Sequence, residues 1–456
     1  MTTTYSIIQF LFPSETIEFS RDQILAANLV EENTPISIEI PVSTLTFKLY
    51  VSDNSFSMFS DSSTALIEKL PILAYESIDG DVRLLGKFYL KKWKNTQEHQ
   101  IEFTAIDIIG VLENTDFDGV FFSDATLVSE ALTQILTPIN VSFELSDDFV
   151  DSSVKGWIPS GNYREALQFL CFAGNAITST ARSENLVINS ISIPELFYDA
   201  KLKDSEKKNV GIEFLPLISK IELVSHNYTQ QDTLETIFEK YLEAGSHKIV
   251  FSKPYTGVVV DGPGYTQSVL GTEGGDTLGT EYGDSLEAGG EYNINSNSVY
   301  LTISTAGTVT ITGYPWLDSQ RSFVFNEDGV TEADNKNTIL ISDATLVNVD
   351  NGQDILDNLI NYYRQRYIQN VKIFPTVNVQ TGDIVLSGTI YNNKILAYVR
   401  KMEIDMIGGF LAKTEIHGLA APAYVPAEEN PTRKARTGMA TCGADLTRNN
   451  SWRNYN

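Results

Sequence analysis

Near both ends of this chain the apolar residues recur at every second position, and that spacing restricts the fold more than any other feature. Leu45, Phe47, Leu49 and Val51 are separated by Thr46, Lys48 and Tyr50. Met402, Ile404 and Met406 alternate with Glu403 and Asp405, and Ala412, Thr414 and Ile416 repeat the pattern after Gly408-Gly409, which reads as a turn. A strand points successive side chains to opposite faces, so period-two patterning specifies strands with one face on a core and the other in water. Asp79-Gly80, between the strand-like stretches 72–76 and 82–92, supplies the positive φ angles of a tight hairpin. Residues 100–107 add a strand with Ile101, Phe103 and Ala105 on one face, and Pro35 and Pro41 bracket another at 36–40.

The period then changes. Leu127, Val128, Ala131, Leu132 and Ile135 recur at helical spacing, with Asp124 available as N-cap and Pro138 as terminator. A proline-marked loop at Trp157 to Gly161 leads into a second helix, with Ser160 as its expected cap. Tyr163, Leu167, Leu170 and Cys171 form its stripe, Arg164, Glu165 and Gln168 stay polar, Gly174 stops it, and a strand follows at 185–188. Strands return at 218–224 and 248–251, and 299–303 with 308–312 reads as a hairpin around Ala306-Gly307. A third helix is expected over 351–369, with Ile355, Leu359, Tyr363 and Tyr367 in one row and Leu356 and Ile360 in a second.

Charge and motif content exclude several functions. Lys+Arg 33 against Asp+Glu 59 gives a formal charge of −26, which disfavours stable binding along a phosphate backbone. Cys171 and Cys442 are too few for a disulfide framework, and Cys171, inside an apolar helix stripe, reads as a packing residue. Residues 7–12 are apolar but closed by Pro13 and preceded by no positive charge, so no secretory leader is expected. No apolar run is long enough for a membrane-spanning helix, and synthesis in a reducing cytoplasm is expected. His99, His226, His247 and His417 show no zinc spacing. There is no nucleophile elbow, phosphate loop or papain-like cysteine segment, and acid pairs such as Glu31-Glu32, Asp116 with Asp118, and Asp147-Asp148 are too common to mark a glycosidase. Neither catalysis nor a cofactor is expected.

Two segments stand apart. Residues 271–278 and 279–286 form a Gly-rich repeat of period eight. It resembles calcium-binding glycine–aspartate turns only loosely, since Tyr282 occupies a glycine position, and a solvated loop or partner-contacting arm is the simpler reading. In the last 27 residues Arg433, Lys434, Arg436, Arg448 and Arg453 face only Asp445, a local charge of +4. Arg433, Lys434, Arg436, Trp452 and Arg453 are the candidate partner-binding residues, suited to an acidic neighbouring surface that includes a second copy of the chain. A frayed terminus is the alternative.

Taken together, Ile38-Glu39-Ile40-Pro41-Val42-Ser43-Thr44-Leu45-Thr46-Phe47, Gly86-Lys87-Phe88-Tyr89-Leu90 to Trp93, Phe103-Thr104-Ala105-Ile106-Asp107, Arg164-Glu165-Ala166-Leu167 and Gly382-Asp383-Ile384-Val385 resemble segments of bacteriophage and prophage tail-hub proteins. The resemblance covers roughly 20–420 and implies an α+β, β-rich fold. It implies two tail-tube-like β-barrel domains, a small α/β domain and a β-rich insertion. The expected layout is a first barrel at 1–115 and the α/β domain at 116–204. A discontinuous second barrel occupies 205–260 and 370–420, with an insertion at 261–350 carrying the Gly-rich loop 271–290. The amphipathic helix lies at 351–369 and an extended basic tail at 421–456. The resemblance further implies a structural baseplate or tail-tip component of a virion: a homotrimeric ring between tail tube or distal tail protein and a central spike or tip. That ring would surround a channel for DNA or the tape-measure protein, with an acidic interior. The alternatives are a receptor- or glycan-binding tail protein and, more remotely, a carbohydrate-active tail enzyme. The sequence departs from the pattern in the 271–290 repeat and in carrying no peptidase or lysozyme domain after 420.

Overall fold

The structure, a computed structural model, describes residues 4–420 apart from 35, 37–38, 53–55, 57–65, 148, 192–210, 264–291, 295, 331–336, 374–378, 390–393 and 408–409. The turn expected at Gly408-Gly409, the Gly-rich repeat and the basic tail lie outside the described residues, and of residues 36–40 those described are not in a strand. The fold is β-rich with a minor helical part.

The period-two segments assemble into one sheet. Its first half is β1 (Thr4–Leu11), β2 (Thr16–Ser20), β3 (Ile24–Glu32), β4 (Thr44–Tyr50), β5 (Pro71–Ile78), β6 (Asp81–Gln97) and β7 (Gln100–Ile106). Between β5 and β6 the register Ile78↔Asp81 leaves a two-residue turn, Asp79 at φ 51 and Gly80 at φ 90, as Asp-Gly requires. The second half runs from β3 through the strands Lys394–Asp405, Leu411–Ala420, Tyr367–Ile373 and Ile212–Phe214, with Ile384–Gly388 pairing beside Lys394–Asp405, for twelve strands in all. The halves join where β3 pairs antiparallel with Lys394–Asp405, in the register Glu31↔Met402 and Leu29↔Ile404. Among the described residues the path ends at β2 on one side and Ile212–Phe214 on the other, with no pair closing it.

One apolar layer covers the inner face of both halves. Phe10, Phe47, Phe56 and Phe103 meet at centroid distances such as 5.2 Å for Phe10–Phe103 and 4.9 Å for Phe47–Phe103, and Met402, Ile404, Ala412 and Ile416 belong to the same buried cluster. Each fully buried phenyl contributes roughly 1.5–3 kcal/mol, so this layer outweighs any single polar contact in the sheet.

The α/β module covers one side. Val120–Leu127 is a strand paired with Ser153–Ile158, which keeps Asp124 inside the strand. The helix therefore begins at Val128, with Leu127 and not Asp124 in the N-cap position and the Ser129 N–H donating to Asp151 Oδ1 at 3.0 Å, and runs to Leu136. The second helix is Tyr163–Ala173. Its cap is Asn162, not Ser160, because Gly161–Asn162 bridges to Asp116–Phe117 and moves the helix start onward. Asn162 Oδ1 accepts the Glu165 N–H at 2.9 Å and Glu165 Oε2 accepts the Asn162 N–H at 3.1 Å, a reciprocal capping box. Cys171 is buried in this core, and burial pushes its thiol up to about 12, so it packs as an apolar residue.

In the remaining β structure Lys220–Gln230 lies between Gly307–Asn326, antiparallel, and Thr338–Ile341, parallel. The hairpin expected around Ala306-Gly307 does not form. Ser298–Ile303 pairs with Gly245–Val250 and Tyr292–Ile294, whereas Gly307–Asn326 pairs with Glu235–Leu242 and Tyr255–Asp261. The two strands alternate as expected, but they share a core, Val299, Leu301 and Ile303 with Val309 and Ile311, and not a ladder. The third helix is shorter than its pattern. It spans Gly352–Tyr363 with Ile355, Leu356 and Leu359 buried, and Tyr367 leaves the row to start a strand opposite Gly418.

Replacing Asn162 by Ala should lower the unfolding free energy by about 1 kcal/mol. Ser160→Ala should leave it within about 0.5 kcal/mol. Urea titrations followed by circular dichroism compare the two, and equal losses would remove the capping assignment.

Candidate functional site

Two features stand out: a charged junction where the two halves of the sheet meet the α/β module, and an open polar face on the other side of the seam. The junction starts from local turns. Arg182 lies between the strands Ala176–Ser179 and Leu186–Ser190 with φ 61, an unfavourable conformation for a side chain of its size. Contacts with β6 hold it there: its N–H donates to Leu85 O at 3.0 Å and its guanidinium to the same oxygen at 3.2 Å. The guanidinium also pairs with Glu31, which β3 presents on its buried face after Ala27 and Leu29. One residue beyond β3, Asn33 donates its amide to Thr178 O at 3.0 Å and its backbone N–H to Arg400 O at 2.8 Å. Gly382, at φ 93, turns the chain against Asn33, where a Cβ would stand 3.2 Å from the Asn33 amide nitrogen.

Asp107 anchors the second contact. It caps the short helix Ile108–Leu112 through Gly110 N at 3.1 Å. Its other oxygen accepts from Ser43 N at 2.9 Å and Thr180 Oγ1 at 3.0 Å. Full burial pushes its carboxyl up to about 6 against those donors. Beside it lies a small, partly open cavity of about 20 Å³, lined in part by Asn33, Asp107, Cys171, Thr178 and Thr180, room for about one water. On the next helix Arg164 donates to Ile40 O from Nε at 2.9 Å and from Nη2 at 2.5 Å.

The polar face spans the seam. A cleft of about 700 Å³ crosses β3, β4, β7 and the strands Tyr367–Ile373, Lys394–Asp405 and Leu411–Ala420. Lys48, Lys372 and Lys413 line it together with Glu102, Glu403 and Asp405. Three cations balance three anions, so the chain's excess acidity does not reside on this face.

The remaining sequence candidates are accounted for as follows. His226 is buried with Nδ1 2.7 Å from the Asp318 carboxylate and Nε2 3.0 Å from Ser342 O. His417 Nε2 lies 2.8 Å from Glu415, His99 Nδ1 3.0 Å from Val51 O and His247 Nε2 2.8 Å from Glu243 O. Each ring is held by its own partner, and among the described residues no three His, Cys, Asp or Glu side chains converge to hold a metal. Arg433, Lys434, Arg436, Trp452 and Arg453 lie outside the described residues. Sequence assigns no role to Glu31, which appears only as one of many acid pairs, to Asp107, which appears only within a resembling segment, or to Arg182, although two signals exist: an acid at an inward position of an alternating strand, and an aspartate between a strand and the apolar run Ile108–Leu112.

Among solved structures, this chain is similar to tail proteins of bacteria and their prophages. The tail protein from Neisseria meningitidis MC58 aligns with 10% identity over 91% of this chain and 96% of that one, TM-score 0.49. The prophage tail protein from Listeria monocytogenes EGD-e aligns with 10% identity over 91% and 95%, TM-score 0.46. The prophage MuSo2 tail protein from Shewanella oneidensis aligns with 9% identity over 92% and 98%, TM-score 0.45. No family model matches the sequence, and no curated protein does.

Arg182→Met should destabilise the protein by about 3 kcal/mol, since it strands the buried Glu31 carboxylate. Adding Glu31→Gln to that variant should restore part of the loss. Thermal or chemical unfolding of the single and double variants measures both, and a double variant no better than the single would separate Arg182 from Glu31.

Proposed function

We propose that this chain is a structural hub of a phage or phage-like tail. In this reading three copies form a ring in the virion that joins the distal tail tube to a central spike or tip and surrounds the path of DNA, or of the tape-measure protein, during ejection. The observation that carries the reading is the seam. Residues 1–115 and the C-terminal strands contribute comparable antiparallel segments that run edge to edge into one sheet, with one open cleft of mixed apolar and charged lining across the join. A chain with two tube-like segments suits a threefold ring that must match a sixfold tube, and symmetric closure is the usual way such rings are built. In that ring the two segments are residues 1–115 and the C-terminal strands from Tyr367 to Ala420 with Ile212–Phe214, whereas the strands from Lys220 to Asp261, which pair with those of the expected insertion and not with 370–420, sit outside together with that insertion and the α/β domain at 116–204.

The polar face is the surface offered to the channel, and its balanced charges suit a polymer that must slide past without lasting attachment. Catalysis has no part in this reading, and digestion of a host wall falls to another component. The basic tail at 421–456, through Arg433, Lys434, Arg436, Trp452 and Arg453, contacts the acidic surface of a neighbouring copy or tail component.

Light scattering of the purified full-length chain is expected to give the mass of three copies. A stable monomer that binds host polysaccharide on a glycan array would instead support the receptor-binding reading. Reversing Arg433, Lys434 and Arg436 to Glu should weaken self-association or binding to the tail partner, with the effect shrinking as salt is raised. An unchanged association constant at low salt would remove the tail from the interface.

A further inference from the structure

We infer that residues 317–326 form a docking edge for an extended segment of another protein, a segment that carries an acid flanked by apolar side chains. This does not depend on the hub reading. The strand Gly307–Asn326 has two edges. Along one, Glu235–Leu242 pairs with its first half and Lys220–Gln230 with its second, from Trp316 to Asn326. Along the other, Tyr255–Asp261 pairs only as far as Pro315, and Trp316 N donates to Pro254 O at 3.0 Å. Beyond Trp316 no strand among the described residues continues that edge.

The direction of each backbone group follows from its neighbours, because successive residues of an antiparallel strand turn their N–H and C=O groups to opposite sides. Pro315 O accepts from Gln231 N, Arg321 O accepts from Ser225 Oγ, and Glu327 N donates to Ser219 O. The odd-numbered residues therefore face Lys220–Gln230. Trp316 N faces away, and with it the backbone groups of Asp318, Gln320, Ser322 and Val324. The register runs from Lys220↔Asn326 to Gln230↔Trp316 with no shift that would break this alternation. Among the described residues these outward N–H and C=O groups meet no strand, and they form a ready template for one.

Free edges are usually blunted by bulges, charge, proline or shortness. The other edges of this sheet are: Glu235–Leu242 carries Glu239 and Lys240 and a register shift between Thr236 and Phe238, Tyr255–Asp261 is shifted between Thr256 and Val259, and Thr338–Ile341 has 4 residues. Residues 317–326 contain no proline, lysine or bulge. Their charges are Asp318, whose carboxylate is engaged by His226 and Gln320, and Arg321, whose guanidinium pairs with no carboxylate among the described residues. Arg321 shares one face with Leu317, 55% exposed, and with the half-buried Phe323 and Phe325. An incoming antiparallel strand therefore suits this edge with an acid opposite Arg321, apolar residues two and four positions before that acid, opposite Phe323 and Phe325, and another four positions after it, opposite Leu317. The same strand of a second copy does not fit. The register in which 318–324 overlaps fully sets Arg321 opposite Arg321, and like charges directly opposite repel.

The probe is a fluorescent peptide of valine and threonine with one central glutamate and valines two and four positions before it and four after. Added to the full-length protein, it should bind saturably by fluorescence anisotropy and slow hydrogen exchange of Gln320, Ser322 and Val324, leaving the four-residue edge Thr338–Ile341 unchanged. A peptide with lysine in place of the glutamate should bind about fivefold more weakly. Arg321→Glu, at an exposed position, should keep the unfolding midpoint and reverse that preference. N-methylation of the peptide nitrogens that face the edge should abolish binding. The proposal is overturned by an absence of saturable binding, by a glutamate peptide that binds Arg321→Glu as tightly as wild type, or by binding that survives N-methylation. Slow exchange of Gln320, Ser322 and Val324 before any peptide is added would also overturn it, since the chain itself or a second copy would then cover the edge.

Discussion

The antiparallel pairing of β3 with Lys394–Asp405 is the constraint from which the rest of the architecture follows. Because Leu29 faces Ile404 and Glu31 faces Met402, the inner faces of the two halves are in register and one apolar layer covers both. A slip of one residue would turn Ile404 and Met402 outward and put Glu403 and Asp405 into the phenylalanine cluster, at a cost no surface contact offsets. The same register sets the outer face, where lysines and carboxylates from both halves alternate across the cleft. Core and polar face are two readings of one alignment.

The α/β module is fixed to that seam by polar means. Its own core, built on Val128–Leu136 and Tyr163–Ala173, is separate from the sheet's. Its attachment at the seam runs through Arg182, Thr178 and Thr180, to Glu31, Asn33 and Asp107. Buried charge contacts are directional and intolerant of mismatch, whereas apolar contacts tolerate sliding. The module therefore has a defined seat, set by directional contacts that the phenylalanine layer does not supply.

Much of this was legible in the sequence where the information is local. Alternation placed Phe47, Phe103, Met402 and Ile416 on buried faces, and Asp79-Gly80 marked its hairpin, because a strand's period and a turn's φ angles are properties of a few adjacent residues. Strand partners are not local. Residues 299–303 and 308–312 alternate as a hairpin would, yet each found a different ladder, since alternation says which side is wet and not which neighbour is bonded. The caps failed for a related reason. Asp124 and Ser160 are good cap residues, but strand pairing of the preceding chain decided where each helix began. Glu31 and Arg182, 151 positions apart, carry no signal of their meeting beyond an acid on an inward strand position.

The hydroxyl of Ser6 on β1 donates to the carbonyl of Met406, a separation of 400 positions. The sheet's centre thus waits for residues 394–406. During synthesis β1 to β7 can collapse on their own phenylalanines, yet β3 keeps an unpaired edge until residues 394–405 leave the ribosome, several hundred residues later. Closing so long a loop is slow relative to forming local hairpins, and an exposed apolar-backed edge held open for that interval invites pairing with other nascent copies. Truncations before residue 394 are thus expected to give aggregates and not stable half-proteins, and the last step in building the sheet is also the step that makes the chain safe to release.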